Sequence, residues 1–257
     1  MTDFAFAPID FSEAEPVLRR HLLGLPAPVD SCFEDHVRAS QHYRIELGQK
    51  SAGWTAVHDG SLITQFCLMS PHRYLGQRAF AQVRKLEQVR EAYVPTCDEF
   101  FLAHALDDYR LLEKQAYFFQ ARPQAQRPAP PPGLTLRPAQ ASDLPAMREL
   151  IGDFFDRLAW RIETGQIYAM LRDGDFAGFG IIEPSTLYPA AASIGMITVA
   201  AQRNQGVGTA IIAALLDACA RRQIMAIAGC WYYNHFSKKT LEKAGMLSQT
   251  RLLKVSY

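Results

Sequence analysis

The sequence predicts an α/β protein built as two domains in tandem, and three observations carry that prediction. A proline-rich stretch, "ARPQAQRPAPPPG" at 121–133, divides the 257 residues into halves of similar size. Behind it, apolar runs with strand and helix periodicity alternate to the end of the chain. A short glycine pattern in the second half also has a faint counterpart in the first. With 49% hydrophobic residues, the chain can bury a substantial core.

Composition narrows the function classes. The 27 basic and 26 acidic side chains nearly cancel, so no bulk field points to nucleic acid or an anionic membrane. Cys32, Cys67, Cys97, Cys219 and Cys230 are scattered and odd in number, which predicts reduced thiols in a cytoplasmic protein. Neither they nor the seven histidines show metal-ligand spacing, so no metal is expected. The opening "MTDFAFAPIDFSEAEPVL" has early acids and no apolar run after a basic start, unlike a signal peptide, and no stretch is long and apolar enough to span a bilayer.

Proline lacks an amide donor and fixes φ, so 121–133 reads as a semi-rigid extended linker between domains at 1–120 and 134–257. After it, "LTLRPA" (134–139) alternates as a strand does. "ASDLPAMRELIGDFF" follows as a helix, with Asp143 placed to cap and Pro145 tolerated in the first turn. A second helical stretch runs to about Gly165. "QIYAMLRDGDFAGFGIIE" is two apolar runs joined by Asp173-Gly174-Asp175, a hairpin. A strand over "SIGMITV" (193–199) leads into "RNQGVGTA" (203–210). From Val207, apolar Ile211, Leu215 and Ala218 recur at helical spacing, while Asp217, Arg221 and Arg222 take the other face. "IMAIAGCWYY" (224–233) is suited to a strand buried on both faces, followed by a helix in "HFSKKTLEKAG" and a last strand in "SQTRLLKVSY".

The chemistry lies in the glycine loop. The first amides of a helix have no partner within it and its dipole favours an anion, so Gly206 and Gly208 would let the backbone close around a phosphate beside Arg203. The spacing is neither the dinucleotide fingerprint nor the Walker loop, and a purely structural strand-to-helix turn would use the same glycines.

In its context, residues 134–257 resemble the GNAT superfamily of acyl-CoA-dependent N-acyltransferases. "ITVAAQRNQGVGTAIIAALL" matches that family's Arg/Gln-x-x-Gly-x-Gly/Ala loop, and "NHFSKKTLEKAGM" is similar to the segment in which an Asn ends the fifth strand and a Gly ends the next helix. The resemblance implies a mixed, mostly antiparallel sheet flanked by helices, with acetyl-CoA as acyl donor. It implies that the backbone of Ile197, Thr198 and Val199 pairs with the pantetheine arm and that Arg203, Asn204, Gln205, Gly206, Val207, Gly208 and Thr209 surround the pyrophosphate. Asn234 and Ser237 would face the arm from the other side.

One departure stands out. Many family members carry a Tyr four residues before the terminal Gly of the last helix, as the acid for the departing thiolate, and here the residue is Leu241. Tyr232, Tyr233 and Ser237 are the candidate substitutes, although tyrosines ending a buried strand serve packing equally well. For the proton of an attacking amine the candidate acceptor is Glu183, a lone carboxylate closing an apolar strand, with a merely solvated strand end as the alternative. A covalent route through Cys230 lacks a visible His and Asn/Asp arrangement.

The glycine loop also aligns with the first half. "RYLGQRAF" (73–80) pairs Arg73 with Arg203 and Gly76 with Gly206, and places Arg78 at the second glycine. "SAGWTAV" is similar to "FAGFGII", "LITQFCL" to "GMITVAA" and "REAYVPTCDEFF" to "MAIAGCWYYNHF", so a degenerate GNAT-like fold is expected first. Arg78 would block ordinary coenzyme A binding there. Asp98 and Glu99 would then contact a cationic amine or simply start a helix.

The expected function is acetyl-CoA-dependent N-acetyl transfer to a primary amine of a small-molecule or peptide acceptor, with the second half catalytic. The alternative is a non-catalytic acyl-CoA-binding or regulatory protein. Neither nucleic acid nor a membrane is an expected partner, a homodimer is left open, and the acceptor carries no recognisable motif.

Overall fold

The structure, a computed structural model, describes residues 3–86, 88–122 and 126–257. Residues 123–125 of the expected linker lie outside the described residues. The first half runs β1 (Phe4–Ile9), α1 (Phe11–Leu23), α2 (Ser31–Arg38), β2 (Gln41–Leu47), β3 (Lys50–His58), β4 (Leu62–Leu68), α3 (Gly76–Val83), β5 (Glu91–Pro95), α4 (Glu99–Ala105) and β6 (Leu111–Ala121). The second repeats that order as β7 (Leu134–Pro138), α5 (Leu144–Ile151), α6 (Leu158–Glu163), β8 (Ile167–Arg172), β9 (Asp175–Pro184), β10 (Ala191–Thr198), α7 (Val207–Arg221), β11 (Met225–Trp231), α8 (His235–Lys243) and β12 (Met246–Ser256). Each pair of similar stretches named above falls on equivalent elements of the two halves.

Local chemistry sets the boundaries. Asp173 (φ 53°) and Gly174 (φ 99°) take the two left-handed positions that a tight hairpin between β8 and β9 demands. Asp143 closes a 3₁₀ turn ahead of α5 by accepting from the Gln140 amide at 2.7 Å and from Arg137 at 2.6 and 2.9 Å. The apolar stripe of α7 buries Val207, Ile211, Leu215 and Ala218, while Asp217 and Arg221 stay in water.

All strands join one 12-stranded sheet in the order β1-β2-β3-β4-β5-β12-β6-β11-β10-β9-β8-β7. The two halves therefore exchange their last strands: β12 pairs with β5 of the first half, and β6 pairs with β11 of the second. Phe118 of β6 and Ile227 of β11 pack under α1 and α2, whereas Tyr117 and Phe119 join the core beneath α7 and α8. Strand alternation thus puts the first half's α2 across the central strands, on the face opposite α7. No described helix is long and apolar enough to cross a membrane.

Candidate active site

Strands β10 and β11 run parallel but pair only from Ala191/Met225 to Ser193/Ile227. Beyond that point β9 keeps β10 in the sheet as far as Thr198, and β6 keeps β11 in it as far as Trp231. The two strands consequently splay, and a wedge opens with unpaired backbone on both sides. Gly195 and Gly229 stand just past the last paired couple, one on each strand. From Gly195 to Thr198 the β10 residues are half-buried, while Ala191 to Ile194 are buried.

At the wide end β10 passes through Val199 and a 3₁₀ turn (Ala200–Gln202) into the glycine loop. Asn204 (φ 62°) and Gly206 (φ 80°) are left-handed, and Gly206 is the N-cap of α7. Glycine is required at 206 for that turn. Gly208 answers a different need, since a Cβ there would lie 3.2 Å from the Met196 sulfur and the Thr198 hydroxyl, so it permits the close approach of α7 to β10. The amides of residues 204–209 find no hydrogen-bond acceptor among the described residues. They crown the positive end of the helix dipole, with exposed Arg203 beside them. Arg172 braces the loop, donating to Gln202 Oε1 at 2.7 Å and to Gln205 Oε1.

Across the wedge, Asn234 caps α8 by accepting from the Ser237 amide at 3.0 Å, and the Ser237 hydroxyl meets Cys230. Burial pushes the Cys230 thiol up to about 11, so it stays protonated. Tyr232 lies flat on Tyr117 of β6, with centroids 4.6 Å apart at 8°, on the strand away from β10. The hydrogen bond from Tyr117, with Lys114 close by, holds its phenol below the ordinary value. Tyr233 is exposed and meets Trp231 edge-on at 5.1 Å. Leu241 is buried in the core beneath α7, so that position is used for packing.

Glu183 is at the end of β9, opposite Ser193, and it is not the lone carboxylate that the sequence suggests. Buried Arg161 donates to it at 2.7 Å and also holds Asp156 Oδ1 at 2.7 Å and Gln166 at 2.9 Å. The guanidinium therefore occupies the carboxylate in a charge-assisted hydrogen bond. These residues, with Ser31, Glu34 and Trp160, line a cavity of about 300 Å³.

The sequence reading missed Asp30. It caps α2, with Oδ1 accepting from the Phe33 amide at 3.0 Å. Its Oδ2 lies on β11 where a Cβ of residue 229 would be, so a side chain there would displace the Asp30 carboxylate. The neighbouring Ser31 amide donates to Ser193 Oγ on β10 at 2.9 Å. The start of α2 therefore bridges both strands at the apex of the wedge. Burial pushes the Asp30 carboxyl up to about 6, with the charges of Glu34 and Glu183 adding and His36 opposing. An acid before a helix and a glycine inside an apolar strand were the two local signals, but nothing in the sequence joins them.

The equivalent wedge of the first half is shut. There β4 and β5 pair only at Leu62/Glu91 and Ile63/Ala92, yet β4 is buried through Leu68. His21 of α1 fills the space, 2.7 Å from Asp98 and edge-on to Trp54 at 5.6 Å. Asp98 also caps α4 by accepting from the Phe101 amide at 3.1 Å, so of its two expected roles the structure assigns it the helix start. A 3₁₀ turn (Ser70–Leu75) runs directly into α3, Gly76 has φ −53°, and its amide is spent on Arg73. Arg78 pairs with Asp3 at 3.4 Å.

The chain is two copies of one α/β unit in tandem, each with a splayed parallel strand pair ahead of a helix. The chain belongs to the GNAT acetyltransferase family: residues 11–122 match the acetyltransferase (GNAT) domain and residues 134–246 the acetyltransferase (GNAT) family. A GNAT-family acetyltransferase from Colwellia psychrerythraea superposes with a TM-score of 0.87 at 17% identity, covering 99% of both chains. A tandem GNAT protein from the clavulanic acid biosynthesis pathway gives 0.61 at 16% identity, covering 99% of this chain and 98% of that one. A GCN5-related N-acetyltransferase from Sphaerobacter thermophilus gives 0.62 at 14%, covering 99% and 95%. These likenesses are of fold. A search of curated sequences finds no match.

Proposed function

We propose that the second half binds acetyl-CoA and transfers its acetyl group to a primary amine on a small-molecule or peptide acceptor, by direct attack. The observation that carries this reading is the single open wedge, continuous with a loop whose amides 204–209 lack acceptors. The residues present suit the donor. Amides 204–209 and Arg203 would hold the pyrophosphate, and the β10 edge at Ile197 and Thr198 would take the pantetheine arm up to Val199, whose own amide is spent on Ala177 and whose carbonyl accepts from Gln202, while Asn234 and Ser237 would face the arm across the wedge. Bound there, acetyl-CoA supplies an activated thioester.

The remaining chemistry belongs to the chain. A primary amine is mostly protonated at neutral pH and must lose a proton before it can attack. The protonated Cys230 thiol supports direct attack over a covalent acyl-enzyme. A thiolate leaving group with a parent pKa of about 8.5 departs without an acid, consistent with Leu241 being a packing residue. The cavity beside Glu183 and Trp160, closed on one side by the first half's α2, is the acceptor's entry. Five free cysteines accord with a cytoplasmic location.

Thiol release from acetyl-CoA across a panel of primary amines tests the reading. Amine-dependent release supports it. Tight coenzyme A binding with no release to any amine would favour the acyl-CoA-binding alternative.

A further inference from the structure

Resting on that acyl-transfer reading, we infer that Asp30, supplied by the first half, takes the proton from the acceptor amine at the apex of the second half's wedge. The placement is specific. Asp30 Oδ1 is committed to the cap of α2, while Oδ2 has no hydrogen-bond partner among the described residues and lies against the bare backbone of Gly229. Gly195 faces Gly229 from the other strand, so on the α2 face neither strand puts a side chain at the start of the gap, while Ile194 and Ala228 point to the α7 face. The Ser31–Ser193 hydrogen bond fixes the carboxylate at the point where the strands separate.

The neighbouring carboxylates are occupied. Glu183 is held by Arg161, Glu34 accepts from Ser185 and Thr186, and Asp35 is exposed beside Arg38. The groups facing Asp30 are Glu34, Glu183 and His36, with the Cys32 and Cys230 thiols both held protonated by burial. A carboxyl titrating near 6 is ionised at neutral pH and still basic enough to accept a proton.

The step balances. An N–H bond of the ammonium breaks, an O–H bond forms on Oδ2, and nitrogen keeps the electron pair. That pair then forms the C–N bond as the C–S bond breaks, with sulfur keeping its electrons. The second proton shed by nitrogen goes to the thiolate, and Asp30 returns its own to solvent.

Asp30→Asn tests the assignment, because Asn caps a helix as well as Asp does. Melting temperature below about pH 4 and coenzyme A affinity are expected to hold, while the rate with a primary alkylamine from the panel falls about 10²–10³-fold. The rate with hydroxylamine, whose nitrogen needs no deprotonation at neutral pH, is expected to fall less than about tenfold. In the wild type the carboxyl carbon of labelled Asp30 should titrate near 6, matching the acidic limb of kcat/KM. Undiminished alkylamine turnover, an equal loss with both nucleophiles, loss of coenzyme A binding, or titration near 4 would each overturn the inference. Absence of amine-dependent release by the wild type would instead overturn the acyl-transfer reading, and this inference with it.

Discussion

The two wedges of this molecule begin alike and end differently. Each opens after a short parallel pairing, two residue pairs in the first half and three in the second. In the first, His21, Asp98, Trp54 and Cys67 close the gap, and the following turn spends the Gly76 amide on Arg73. In the second, Gly195 and Gly229 clear the start of the gap on the α2 face, and Gly206 turns the chain so that successive amides face outward. One fold can therefore make a plugged structural unit or an open binding unit by changing a few side chains at equivalent places. The shut copy still serves the open one, since its α2 brings Asp30 and Ser31 to the second wedge.

The largest expected effect breaks the plug. His21→Ala leaves the Asp98 carboxylate buried without its partner and should cost about 3–5 kcal/mol in denaturant unfolding. Burial alone would lower the His21 pKa, but its hydrogen bonds to Asp98 and Cys67 and the Asp98 charge carry it up to about 10. A raised folded pKa means that this stabilisation is complete below about pH 6.5 and is lost as pH rises towards 10. The variant should therefore lose that part of the pH dependence.

Next comes a transfer of the first half's feature into the second. Gly208→Arg, copying Arg78, should weaken coenzyme A binding by more than about 100-fold, roughly 2.7 kcal/mol, with circular dichroism unchanged. A smaller effect concerns stability at Asp30. Its folded pKa lies above the unfolded one, so ionisation at neutral pH costs stability, and Asp30→Asn should stabilise the chain by about 1–3 kcal/mol above pH 6. The gain should shrink as pH falls through that range and vanish below about pH 4, as read from melts across pH. Smallest is Arg172→Ala, which removes the brace on Gln202 and Gln205 but leaves the amides, and should weaken coenzyme A binding less than about tenfold.

What was legible in the sequence was local. The hairpin at Asp173-Gly174, the amphipathic stripe of α7 and the glycine loop each depend on neighbours within a few residues, and the order of elements in the second half follows from them. The exchange of β6 and β12 was not legible, because both strands read equally well paired within their own half. Glu183 looked solitary because Arg161, its partner, belongs to a helix whose direction no pattern reveals. Asp30 was hidden for the same reason: its cap is a local signal, but its contact with Gly229 spans both halves of the chain.

The most direct test of one open and one shut wedge is a calorimetric titration of the full chain with coenzyme A. One site per chain, abolished by Gly208→Arg and insensitive to Arg78→Gly, is the predicted result. Two sites in the wild type, or tight binding that survives Gly208→Arg, would contradict it.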